Sequence, residues 1–253
     1  MDILSGFADV SLWQLVLITG CAVVASLLGG VTGYGSGALM PLVLVPIGGP
    51  APVVPIIALA AILTNISRMT AFRLHVDWRK ARIVFACAIP TCVLGAWGYS
   101  RLTGRGALIV IGSMMIASVP LRRILKRRGF SMGERGLAIS SVGWGVLVGG
   151  TSGSGIILLS MLMAASVSGA AVIGTDAAIS VAIGVIKISV FGAAGVVNAR
   201  VIAVALLIGL ATFPGAFVAK WLVERMPIHI HTAILDAVVL IGGAAMLARA
   251  ING

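Results

Sequence analysis

The stretch Gly29-Gly30-Val31-Thr32-Gly33-Tyr34-Gly35-Ser36-Gly37 interrupts an apolar segment that begins near residue 11. Glycine weakens a helix interior and adopts backbone conformations that other residues avoid. The apolar run after this break ends at Gly48-Gly49-Pro50. As a helix it covers about 18 Å of a hydrocarbon core that is about 30 Å thick. The sequence therefore predicts a broken or re-entrant helix at this point.

A second break lies in the other half of the chain. The stretch Thr151-Ser152-Gly153-Ser154-Gly155 follows an apolar segment at 137–150 and precedes a short apolar run at 156–167. Longer apolar spans come after each break, at 51–72, 83–100 and 106–121 and again at 170–194, 201–219 and 232–250. A shift of about 118–120 residues superposes the breaks and spans of the first half on those of the second half in the same order, which indicates an internal duplication. The predicted organisation is a first membrane repeat at 1–121, a basic connection at 122–136 and a second membrane repeat at 137–253.

Composition identifies the solvent around this chain. Of its 253 residues, 60% are hydrophobic and 10% are charged, and its mean hydropathy is +1.15. Soluble domains are about 45–50% apolar and about 25% charged. Since backbone amides in lipid must be paired within their own segment, we predict an all-α polytopic membrane protein with eight to ten hydrophobic segments in a lipid bilayer. The formal charge of +11 resides in short connections between spans, which argues against a nucleic-acid partner.

The short loops predict how the chain is oriented. Residues 122–135 hold six basic side chains against one acid, and residues 73–82 hold four against one acid. Both loops are therefore expected in the cytoplasm, with the acidic N-terminus outside. Each half has five crossings or three, depending on whether its break lies in a full crossing or a re-entrant hairpin. Either number is odd, so the halves are predicted to be inverted, as in many secondary carriers with a substrate site near the midplane.

The paired breaks suggest an anion site. A broken helix presents unpaired N–H groups and the positive end of its dipole, Ser36 and Ser154 add hydroxyl donors, and glycine lets a ligand approach the backbone. The alternative is ordinary packing, because Gly29, Gly33 and Gly37 are spaced by four residues. The triplet Gly145, Gly149 and Gly153 has the same spacing, which is typical of close helix–helix contacts.

Charged residues within the spans are the second clue. Arg68 and Lys187 lie 119 residues apart and so at equivalent positions of the two repeats. A cation at the bilayer centre costs at least about 2.5–3.5 kcal/mol and usually faces a cavity or a partner. The alternative is snorkelling toward the nearer membrane surface. Asn65 lies one turn before Arg68 and could share its face.

Asp176 follows Thr175 near the predicted start of its span. It is a candidate proton-coupling site, or equally a carboxylate favoured by the helix dipole. It lies about 16 Å from Lys187 along the axis, too far for a direct pair. The predicted substrate-binding residues are Gly33, Tyr34, Gly35, Ser36, Gly37, Asn65, Arg68, Ser152, Gly153, Ser154, Gly155, Thr175 and Lys187.

Enzymatic interpretations are weaker. Gly150-Thr151-Ser152-Gly153 matches the short GxSG of intramembrane serine proteases, which need a histidine in a neighbouring span. All three histidines of this chain fall in polar connections. We predict no enzymatic activity, no cofactor and no metal.

The stretch Gly33 to Leu42, with Gly153-Ser154-Gly155, Ile173-Gly174-Thr175-Asp176 and His75-Val76-Asp77-Trp78, resembles the sulfite exporter TauE/SafE family, also called toluene sulfonate uptake permeases. The resemblance covers nearly the whole chain. It implies an inner-membrane carrier of small organosulfur or carboxylate anions, in which coupling to protons stays open. The chain departs from the family pattern at Ser36 and Asp176. The competing hypothesis is a non-transporting membrane scaffold with the loop at 122–135 as its functional surface. The oligomeric state stays open.

Overall fold

The computed structural model describes residues 4–7, 10–32, 35–127, 131–213 and 228–252. These residues form ten α-helices and two short 3₁₀ turns, at Leu4–Phe7 and Arg73–His75. The helices are α1 (Leu12–Thr32), α2 (Gly35–Gly48), α3 (Val53–Ala71), α4 (Trp78–Ser100), α5 (Gly104–Arg127), α6 (Glu134–Gly150), α7 (Gly155–Ala164), α8 (Ala170–Ala193), α9 (Ala199–Thr212) and α10 (Ile228–Asn252). The predicted all-α fold is confirmed.

The helices that follow the two breaks are short. Helix α2 has 14 residues and contains Pro41 and Pro46, and α7 has 10 residues. At a rise of about 1.5 Å per residue they extend about 21 Å and 15 Å, less than a membrane core. Four other helices or helix segments are long and apolar enough to cross a membrane among the described residues. They are Val53–Ala71, Trp78–Ser100, Gly104–Leu121 and Ala170–Ala193.

Helices α6 and α7 form a hairpin that returns to the side on which it begins. The Met132 N–H, just before α6, donates a hydrogen bond to the Ala164 carbonyl oxygen at the end of α7, at 2.8 Å. Helices α1 and α2 behave similarly, because Val10 before α1 and Gly48 at the end of α2 line the same cavity. Both pairs of helices therefore form hairpins, and we call their described ends, Gly37 and Ser152–Gly155, the two hairpin tips.

The two hairpins begin at opposite ends of the bundle. We call the end that carries the starts of α4 and α6 the basic face; there the Arg79 Nε lies 2.7 Å from a Glu134 carboxylate oxygen. The other end is the opposite face, where the Tyr99 hydroxyl donates to the Pro50 carbonyl oxygen at 2.9 Å. The Arg200 guanidinium at the start of α9 donates there to the Ile47 carbonyl oxygen at the end of α2, at 3.3 Å.

Two pairs of long helices pack antiparallel. Helix α3 is antiparallel to α8, since Ile62 packs on Gly184 while Phe72, nearer the end of α3, packs on Gly174. Helix α5 is antiparallel to α10, where Gly112 contacts Leu247 and Ile116 contacts Gly243. Large apolar side chains such as Leu94 and Ile139 are 63% and 75% exposed on the outside of the bundle. Such a surface needs lipid around it, so the chain is a multi-pass membrane protein.

Glycines of α6 let it pack closely against α4. A Cβ at Gly145 would overlap the Thr91 side chain, and one at Gly149 would overlap the Cys92 carbonyl oxygen. The packing interpretation of the four-residue glycine spacing therefore holds for these two positions. It does not describe Gly153, which lies beyond the end of α6.

Replacing Gly149 with alanine is expected to destabilise the protein by about 1–3 kcal/mol, because the added methyl group must push α6 away from α4. The matched control is Gly143→Ala on the same helix, where a Cβ meets nothing within 4 Å. Denaturation of the detergent-solubilised protein, followed by helical circular dichroism, compares the two. Equal stability of both variants would contradict this account of the α4–α6 contact.

Candidate functional site

A cavity of about 150 Å³ lies between α3, α8 and the two hairpin tips. Its walls on α3 and α8 use positions related by the repeat shift of 119 residues. These pairs are Ile57 and Asp176, Ala61 and Ser180, Thr64 and Ile183, Asn65 and Gly184, and Arg68 and Lys187. The two crossing helices therefore present the same faces to one space, although the residue types differ.

The two breaks meet at this cavity. A Cβ placed on Gly37 would lie 2.7 Å from both the Cα and the N atom of Gly153, so the tips touch through backbone that carries no side chains. Gly153 has a φ of +86°, in the region that favours glycine. Helix α7 begins at Gly155 without a side-chain cap, so N–H groups and the positive dipole end lie at the cavity wall.

Two serines of the second break also line the cavity. Ser152 is 7% exposed, and its hydroxyl has no hydrogen-bond partner among the described residues. The Ser154 carbonyl oxygen accepts a hydrogen bond from the Trp144 indole N–H at 3.1 Å. This bond ties the loop between α6 and α7 to α6. The Ser152 hydroxyl is thus a buried group available to a ligand, since buried hydroxyls are normally paired.

Arg68 forms a buried ion pair. Its guanidinium lies 3.2 Å from the Asp176 Oδ2 atom, with the two side chains 13% and 3% exposed. It also donates to the Asn65 amide oxygen at 3.1 Å, so the predicted shared face of Asn65 and Arg68 is real. The sequence pattern did not predict this partner: the Arg68 charge is balanced by the Asp176 carboxylate. The snorkelling alternative is wrong for Arg68, because its side chain pairs with the buried Asp176 carboxylate.

Lys187 carries the charge that is not balanced. Its ammonium donates to the carbonyl oxygens of Val148 and Thr151 at 2.7 Å and 2.9 Å, near the C-terminus of α6. An ammonium has three N–H donors, so one remains for the cavity, which Lys187 also lines. The residue is 6% exposed, and no acid contacts it among the described residues.

Asp176 and Thr175 lie in the second turn of α8, which begins at Ala170. Asp176 is not a helix cap, because its carboxylate pairs with Arg68 and its Oδ1 atom has no partner among the described residues. The Thr175 hydroxyl points elsewhere and accepts a hydrogen bond from the Asp77 N–H at 2.9 Å. Thr175 is absent from the described cavity wall and holds the loop before α4 onto α8 instead.

Asp77 caps α4 at the basic face. Its carboxylate accepts a hydrogen bond from the Lys80 N–H at 3.1 Å, and the Lys80 ammonium lies 3.3 Å away. Partial burial acts to raise the pKa of Asp77, but the amide and charge of Lys80 outweigh it and hold the pKa below its ordinary value. The loop before α4 is therefore fixed at both sides of Asp77: its N–H is bonded to Thr175, and its ionised carboxylate caps α4.

The other predicted residues divide as follows. Gly37, Asn65, Ser152, Gly153, Ser154 and Gly155 line the cavity together with the three charged residues. Gly33 and Tyr34 lie outside the described residues, and so do the surroundings of Gly35 and Ser36 in the first turn of α2.

Several cavity residues escaped sequence reasoning. Ser180 lies four residues after Asp176 and seven before Lys187, so helical spacing could have placed all three on one face. The Thr64 and Thr212 hydroxyls share a hydrogen bond of 2.8 Å, which joins α3 to α9 at the cavity wall. That contact has no sequence signal, because the two threonines lie 148 residues apart and nothing in the sequence specifies how α3 packs on α9.

The fold and the site define a class: a multi-pass helical membrane protein in which two hairpin tips enclose a charged internal cavity. The model of the sulfite exporter TauE/SafE family matches residues 18–246. The chain therefore belongs to that family, and the resemblance seen in its motifs is confirmed. Membership makes it a membrane transporter with a small anionic substrate, consistent with the prediction of no enzymatic activity. No curated protein and no solved structure matched the chain.

Proposed function

We propose that the protein is a secondary carrier of small anions such as sulfite, sulfonates or related organosulfur and carboxylate anions. The observation that carries this proposal is the cavity at the meeting point of the two breaks, with the unbalanced Lys187 ammonium in its wall. Backbone N–H groups at the start of α7 and the unpaired Ser152 hydroxyl supply further donors. Donors of this kind around a buried cation suit an oxyanion.

Transport would proceed by alternating access between inverted repeats. The opposite directions of α3 and α8 and of α5 and α10 support this arrangement, as do the hairpins that enter from opposite faces. The repeats would be residues 1–121 and 137–253, joined by a basic connection. Rocking of one half against the other around the touching tips would open the cavity to each side in turn.

Asp176 is the candidate for proton coupling. Its Oδ2 atom holds Arg68, while its buried Oδ1 atom has no partner among the described residues. A proton could therefore bind at Oδ1 without displacing the guanidinium. The inner-membrane location, the cytoplasmic basic face and the external N-terminus complete the proposal, and they rest on the positive charge of the loops.

The test is uptake of labelled sulfite, methanesulfonate and acetate into liposomes that contain the purified protein. We expect Gly37→Ala to lower uptake about tenfold, corresponding to about 1.4 kcal/mol, because the methyl group must separate Gly37 from the Gly153 backbone at the tips. Gly20→Ala in α1, where a Cβ meets nothing within 4 Å, is the control.

Uptake that Gly37→Ala leaves unchanged would remove the tips from the transport site. If the wild-type protein moves none of the candidate anions, the carrier proposal fails and the scaffold hypothesis gains. Crosslinking of a partner to the basic connection would then be the next measurement.

A further inference from the structure

The charges in the cavity do not cancel. Three charged side chains line it among the described residues: Arg68, Asp176 and Lys187. Arg68 and Asp176 balance one another as a pair at 3.2 Å. Lys187 donates to neutral carbonyl oxygens, so the site has a net charge of +1.

Charge, rather than size, separates the smallest oxyanions at such a site. A cavity of about 150 Å³ has room for a single tetrahedral group, and methanesulfonate and sulfate have nearly the same shape. They differ by one unit of charge. A buried site tolerates uncompensated charge poorly, because desolvation is costly and like charges repel strongly away from water.

We propose that Asp176 is the specificity-determining residue that restricts this carrier to singly charged anions. Its carboxylate withdraws the Arg68 charge from the ligand and leaves Lys187 as the sole counter-charge among the described residues. While Asp176 is ionised, a monoanion makes the occupied site neutral. A dianion would leave one negative charge in excess beside Asp176. This inference rests on the proposed function and names the substrate charge for the same cavity.

The position of Asp176 supports a role beyond holding Arg68. Its repeat-equivalent on α3 is Ile57, which also lines the cavity, so the carboxylate breaks the symmetry of the two walls. Its Oδ1 atom is buried without a partner in the described part of the chain. A residue that served only to neutralise an arginine would be expected to have both oxygens satisfied.

The experiment measures competition by methanesulfonate and by sulfate, at equal ionic strength, against uptake of labelled methanesulfonate into liposomes. We expect the wild-type protein to prefer methanesulfonate by about tenfold or more. Asp176→Asn raises the site charge to +2 and should move the ratio toward sulfate by at least about tenfold. The double variant Arg68→Gln with Asp176→Asn returns the charge to +1 and should restore the wild-type preference.

A second variant covers the case in which Asp176→Asn does not fold. Asn65→Asp keeps the acceptor for Arg68, adds one negative charge and should lower the affinity for both anions about tenfold or more. An unchanged ratio in Asp176→Asn, or undiminished uptake in Asn65→Asp, overturns the proposal while the carrier function stands. Wild-type protein that moves none of sulfite, methanesulfonate and acetate overturns the carrier function itself.

Discussion

Replacing Lys187 with methionine is expected to abolish anion uptake. Methionine fills most of the volume of the lysine side chain but removes its positive charge. That charge is the one without a counter-charge in the cavity, because Arg68 and Asp176 balance one another. Loss of one partner from a buried charge pair costs about 2–5 kcal/mol of binding free energy, a loss of about thirtyfold or more in affinity. The measurement is uptake of labelled methanesulfonate into liposomes at a fixed amount of folded protein.

The controls separate charge from packing. Lys80→Met removes a lysine that pairs with Asp77 at the basic face and that does not line the described cavity, so this variant should transport as the wild type does. Lys187→Arg keeps the charge in a different shape and should retain part of the uptake. Folded Lys187→Met protein with normal uptake would show that Lys187 only caps the carbonyl oxygens at the end of α6.

The repeat pattern pointed to Arg68 and Lys187 but not to how their charges are paired. The shift of 119 residues placed Arg68 and Lys187 at equivalent positions, and both line one cavity because α3 and α8 cross there. The Arg68–Asp176 pair depends on the antiparallel register of those two helices. Their side chains lie 108 residues apart in the chain, and composition or spacing within one helix carries no information about that register.

The four-residue glycine spacing likewise did not predict what each glycine contacts. Gly145, Gly149 and Gly153 are indistinguishable as a sequence pattern, yet the first two pack on α4 and the third touches Gly37 at the other tip. Whether a glycine of this series packs on α4 or lies at the hairpin tip depends on where α6 ends, which is at Gly150. Sequence left open whether each break was re-entrant or part of a crossing, because that depends on which end of the bundle α2 and α7 reach.

Meeting of the two tips explains why each half alone would be incomplete. The first half supplies Gly37, Asn65 and Arg68, and the second supplies the Ser152–Gly155 loop, Asp176 and Lys187. Without the second half, Arg68 would face lipid or an empty cleft with no counter-charge. The cavity is therefore a property of the interface between halves, which is where a carrier based on rocking halves needs its substrate.

Replacing Arg68 with leucine is expected to destabilise the protein by about 3–5 kcal/mol, because the Asp176 carboxylate is left buried without a counter-charge. The matched control is Arg79→Leu, which breaks the Arg79–Glu134 pair at the basic face. Those side chains are 77% and 46% exposed, and an exposed pair contributes about 0–1 kcal/mol. Denaturation in mixed micelles, followed by circular dichroism, compares the two variants.

Adding Asp176→Asn to Arg68→Leu should recover most of the lost stability, because it removes the unpaired charge. The double variant also keeps the net cavity charge at +1 through Lys187, so it should regain uptake of monoanions. Stability and uptake that recover together would mean that Arg68 serves to balance Asp176 rather than to bind the anion. Recovery of stability without uptake would instead make Arg68 a direct ligand of the anion, and the charge count of the site would then have to include it.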